Sequence, residues 1–166
     1  MNQMEFLEEL LRHRQLSHAD GRALFAYRLD EAELAKVTAF VRQMVKGVAA
    51  GERYPVFEPL FCLYAAETFR RQHAGGPWAW RTVFQPIDAE VPDQPRIGHW
   101  VETGLKWWHR EIIRGQAGDR RFLVTLACEG GLPLRLLQHQ GARLRVFFLS
   151  LLEDYLSHHC PDVEHA

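Results

Sequence analysis

The sequence predicts an all-α protein, a single irregular bundle of six or seven helices spanning residues 1–166, with one possible internal loop boundary at 85–96. Two observations carry this. Apolar residues recur at helical spacing in segment after segment, and those segments are punctuated by capping residues, glycines and prolines. A composition of 47% hydrophobic and 25% charged residues adds that the chain folds, and 166 residues suffice for one core.

In the first segment Phe6, Leu7, Leu10 and Leu11 share one side and Glu5, Glu8, Glu9 and Arg12 the other, which is an amphipathic helix. Residues 17–29 are ambiguous, because "ALFAYRL" suits a short strand by its aromatics and a helical turn by its alanines. Asp30 followed by Glu33 has the form of a capping box and opens a second helix to about Val48. Its face is Leu34, Val37, Val41, Met44, Val45 and Val48. Pro55 and Pro59 suit the first turns of a third helix, and "LFCLYAAETF" continues it with apolar residues nearly all round the axis, so it belongs at the centre. "PWAWRTVF" predicts a short helix, and residues 85–96, with three prolines among acids, an ordered loop.

From Ile97 the stripe Val101, Leu105, Trp108 and Ile112 predicts a helix reaching Arg114, with Lys106, Arg110 and Arg114 as a second, basic stripe. Glu102 and Lys106 would pair on its surface. Asp119 is expected to cap the next helix, through Cys128. "EGGLP" then has the grammar of a helix-to-helix corner, glycine supplying a positive φ and Pro133 opening the helix after it. Gly141 is expected to break the chain again. The helix from Ala142 to His158, carrying "VFFLSLL", has only a narrow polar strip, and this places it at the centre of the core.

Charge excludes some functions. Lys and Arg number 20 against 21 acids, so the whole chain has no electrostatic pull toward polyanions. The balance is uneven, since nine cations face four acids between Arg96 and Leu152. Three widely spaced cysteines and no signal peptide predict reduced thiols and a cytoplasmic location, and the apolar run is too short to span a bilayer.

Motifs for catalysis and metal binding fall short. His158, His159, Cys160 and His165 crowd the terminus without a second ligand pair at zinc spacing, and His99, His109 and Glu111 form no H-E-x-x-H helix. Asp93, Glu102 and Lys106 have the wrong spacing for a metal-dependent nuclease. "EGGLPLRL" is neither a phosphate loop nor a dinucleotide turn, and no nucleophile elbow occurs. No metal and no cofactor is expected. Glu67 and Glu129 are the carboxylates with the most apolar neighbours and are the candidates if the protein is an enzyme, which the sequence leans against. The plainer reading pairs Glu67 with Arg70 or Arg71 and leaves Glu129 at a helix end.

All five tryptophans fall between Trp78 and Trp108, beside the basic stripe. Lys106, Trp107, Arg110, Arg114, Arg120 and Arg121 are therefore the candidate partner-binding or nucleic-acid-binding residues. Two stretches, "LFCLYAAETFRRQHAGGPWAW" and "LVTLACEGGLPLRLL", resemble the N-terminal region of a family of very large uncharacterised bacterial proteins encoded in mobile genomic islands, often among anti-phage defence genes. The resemblance implies a helical N-terminal module in a bacterial cytoplasm. The expected function is a non-catalytic interaction module of such a system, binding a protein partner or a larger downstream polypeptide; the alternative is a nucleic-acid-binding module.

Overall fold

A computed structural model describes residues 2–159, apart from the side chain of His159. Seven α-helices occur among them: α1 Gln3–His13, α2 Glu31–Ala49, α3 Phe57–Gln72, α4 Trp80–Phe84, α5 Gln94–Trp107, α6 Phe122–Gly130 and α7 Leu134–His159. The ambiguous residues after α1 contain a 3-10 turn, Leu24–Tyr27, which buries Leu24 and Tyr27 completely. The only β pairing among the described residues is an isolated bridge between Arg114 and Arg120. The architecture is all-α.

Helix α3 is the hub, as its all-round apolar pattern predicts. It packs against α2, α5 and α6, and Leu60 to Ala66 are all buried. Two glycines allow the close approach. A Cβ on Gly104 of α5 would fall on the Glu58 carbonyl, and one on Gly130 of α6 would sit 2.5 Å from the Ala66 carbonyl oxygen. Around this axis Phe57, Phe61, Phe84 and Trp100 form an aromatic cluster, with Phe57 and Trp100 edge to face at 4.8 Å. The capping box that opens α2 is complete: Glu33 N–H donates to Asp30 and Asp30 N–H to Glu33.

Residues 21–29 cross the bundle with little regular structure, so their backbone groups need other partners. Three arginines from distant elements supply them. Arg110 donates to the Gly21 carbonyl at 2.9 Å, Arg14 to the carbonyls of Tyr27 and Arg28, and Arg71 to that of Leu29. Each guanidinium is in turn held by a carboxylate: Arg110 by Glu129, Arg14 by Glu33, and Arg71 by Glu67 and Glu31. Glu129 also accepts the Leu24 N–H at 3.0 Å.

Several sequence expectations are corrected. Helix α5 starts three residues early, because Asp93 caps it through the Arg96 N–H, and it ends at Trp107 rather than near Arg114. His109 stands in the left-handed region at φ 56°, and the Arg110 N–H returns to the Leu105 carbonyl, closing the helix as glycine usually does. Glu102 pairs with Arg120 instead of Lys106. Asp119 caps nothing; α6 begins at Phe122 after Arg121, and Asp119 pairs with Arg121. Gly141 does not interrupt α7, which runs unbroken for 26 residues.

The largest correction concerns "VFFLSLL", placed at the centre by its composition. Helix α7 packs on α3, but every residue from Arg145 to His158 is exposed. An apolar circumference shows that a helix needs cover, and the described residues do not provide it.

The corner at "EGGLP" is as expected, with Gly131 at φ 69° between α6 and α7. Gly131→Ala should cost on the order of 1 kcal/mol through backbone strain. Gly130→Ala should cost more, because its Cβ meets backbone, and thermal melts of the two variants would show the order. Arg110→Met should cost about 2 kcal/mol by stranding Glu129, whose side chain is 4% exposed against 34% for Arg110; denaturant titration measures it. Burial pushes the Glu33 carboxyl up, yet the Arg14 hydrogen bonds, the Asp30 N–H and the Arg14 charge together outweigh this and hold it below its ordinary value. A lowered folded pKa stabilises above the unfolded value and loses that contribution as pH falls through the folded one. Arg14→Met should therefore flatten the fall in melting temperature below about pH 4.

Candidate interaction surface

The six basic-segment candidates do not form a helical stripe. Only Lys106 and Trp107 lie on α5, while Arg110, Arg114, Arg120 and Arg121 sit on or beyond the loop after it. Three of the cations are already paired: Arg110 with Glu129, Arg120 with Glu102, and Arg121 with Asp119. Lys106 and Arg114 are exposed and form no ion pair among the described residues. The tryptophans serve mainly the core. Trp108 is buried and donates its indole N–H to the Pro59 carbonyl at 2.9 Å, Trp100 joins the aromatic cluster, and Trp107 packs against the core edge.

The two candidate carboxylates are buried, as their neighbours predict. Glu67 is wholly buried, and Arg71 Nε donates to it at 2.9 Å with Arg70 at 3.4 Å, which is the plainer reading of its role. Glu129 accepts from both Arg110 and the Leu24 backbone. Each oxygen of Glu129 is thus engaged by a donor of the fold. Burial pushes the Cys62 thiol far above its ordinary value, which suits a packing role. No group of three potential metal ligands occurs among the described residues; Cys160 and His165 lie outside them.

The surface that composition assigned to the core is the one left uncovered. Val146, Phe147, Phe148, Leu151, Leu152 and Tyr155 are between 49% and 68% exposed, and Leu149 and Leu156 extend the same face. At 100° per residue these side chains span an arc of roughly 260°, against the ~100° stripe of a helix lying on one core. The polar strip of Arg143, Ser150, Asp154 and Ser157 lies opposite. No described helix is long and apolar enough to cross a membrane.

No solved structure matches the chain at a significant level. Protein YjiT of Escherichia coli strain K12 is 28% identical over 155 residues, covering 90% of this chain and 29% of its own length. The chain thus spans less than a third of the curated relative it matches, and the alignment runs into α7. The description of the YjiT N-terminal domain matches residues 1–132, from the start of the chain to the α6–α7 corner. That span holds the hub helix, the arginine fastenings and the segment from Phe61 to Trp80, and by it the chain belongs to the YjiT N-terminal domain family.

Proposed function

We propose that the chain is a non-catalytic protein-interaction module whose working surface is the apolar face of α7. The observation that carries this is the run from Arg145 to His158, fourteen consecutive exposed residues of which eight are large hydrophobics. Monomeric proteins rarely leave a contiguous apolar patch of that extent in water, and patches of this size mark binding sites.

Nucleic acid is the second reading, using Lys106, Trp107, Arg110, Arg114, Arg120 and Arg121. It is less favoured, because phosphate binding draws on uncompensated cations and three of these are engaged by carboxylates. An enzyme centred on Glu67 or Glu129 is less favoured still, since guanidinium groups already occupy both. The setting proposed is a bacterial anti-phage defence system in which the module joins a protein partner or further polypeptide. Deleting the gene there should raise phage plating efficiency.

The surface makes a direct prediction about stability. Phe148→Glu and Leu152→Glu should keep the melting temperature within about 2 °C, as surface substitutions do. A core position would lose far more. Differential scanning calorimetry separates the cases, and a drop of ten degrees would overturn the reading. Titration with single- and double-stranded DNA and RNA at two salt concentrations should show no micromolar, salt-sensitive binding. Such binding, abolished when Lys106, Arg110 and Arg114 are changed to Ala, would favour the nucleic-acid reading instead.

A further inference from the structure

From Gly141 to His158 the pattern of α7 is symmetric about a point between Leu149 and Ser150. Leu134, Leu137, Gly141, Leu144, Phe148, Leu151, Tyr155 and His158 are spaced alternately by three and four residues, which is the seam of a helix that packs along another helix. When this seam is laid against an identical one running the opposite way, the layers match. Leu144 faces the partner's Tyr155, Phe148 the partner's Leu151, and Gly141 the partner's His158. Phe147 and Leu152 lie on the two flanks of the seam and close over it.

Two further features of the helix fit that arrangement. Gly141 is a glycine inside a helix, a placement that costs about 1 kcal/mol against alanine. Among the described residues, nothing beyond its chain neighbours and its own helical backbone lies within 4 Å of where its Cβ would be, so no packing contact there requires it. Opposite a histidine of a second copy it leaves the room that ring needs. Arg143 and Asp154 are eleven residues, or three turns, apart and so share one flank of the seam. Antiparallel pairing brings Arg143 of one copy beside the partner's Asp154, offset by about 3 Å along the axis, within reach of an arginine. Arg143 has no ion pair among the described residues. Parallel pairing would instead put the two copies of this flank on opposite sides of the seam and leave the Arg143–Asp154 pair unmade.

We infer that α7 is a self-association helix that pairs antiparallel with α7 of a second copy of this chain through the Leu144, Phe148, Leu151 and Tyr155 layers. The inference rests on the protein-interaction reading of α7 and names its partner. Phe148, Leu151 and Tyr155 of these layers are each about half exposed, and the complementary charges of Arg143 and the partner's Asp154 fit a second copy as their cover. A two-fold axis between Leu149 and Ser150 makes the contact isologous and closed, so association stops at the dimer.

Light scattering coupled to size exclusion, at chain concentrations from about 1 to 100 μM, tests it, with the monomer mass of 19.3 kDa as reference. The expected result is twice that mass. Phe148→Glu combined with Leu151→Glu should give a folded monomer whose melting temperature no longer rises with chain concentration, as the parent's should. Arg143→Asp and Asp154→Arg should each weaken the dimer at least tenfold, and the two together in one chain should restore it, because the pair is then exchanged but still complementary. A monomer at 100 μM, a dimer indifferent to Phe148→Glu with Leu151→Glu, or a doubly exchanged chain weaker than either single variant would each overturn self-pairing. The interaction reading itself fails by a different outcome, namely unfolding of the body by Phe148→Glu.

Discussion

Residues 21–29 have one short 3-10 turn as their only regular structure, at the edge of a helical core, and the three guanidinium groups of Arg14, Arg71 and Arg110 hold them there. An unpaired carbonyl in such a place costs as much as a hydrogen bond is worth, so without these donors the segment would return to water. It would take Leu24 and Tyr27 with it, and the Tyr27 ring lies 4.6 Å from that of Trp108. Trp108 in turn anchors the end of α5 to the start of α3. The packing of the bundle on this side depends on charge-assisted hydrogen bonds made over long sequence separations.

That dependence explains the fate of the two buried carboxylates. Glu67 and Glu129 look like candidate acids when only their neighbours along the chain are considered. In the fold each is the counter-ion of an arginine whose remaining donors hold backbone. A buried ion pair adds little net stability over an apolar replacement, but it fixes geometry, because its members have few alternative partners. Here the geometry being fixed is the path of residues 21–29.

The parts of this fold legible in the sequence were those set by local rules. Asp30 and Glu33 announce their helix because a capping box is completed within three residues, and "EGGLP" reads as a corner because positive φ and a missing amide are properties of single residues. The hub helix was legible from its all-round apolar pattern. The end of α5 was not, because His109 takes the left-handed position where glycine would have been the signal, drawn there by Trp108 entering the core and Arg110 reaching Glu129. The fastening arginines were equally silent; Arg110 and Gly21 are 89 residues apart. For α7 the pattern showed correctly that the helix needs burial but carried no information on which chain supplies it. The surface was therefore misplaced into the core even though its residues were noticed.

The corner at Gly131 separates two kinds of constraint on the same polypeptide. Before it, nearly every apolar side chain is fixed by neighbours from several elements, and a change in volume is felt throughout the bundle. After it, the exposed part of α7 owes the body nothing, so its side chains are free to vary in shape and charge without a folding penalty. The body would keep its form under substitutions in the arm, so what the arm recognises can be altered without disturbing what holds the bundle together.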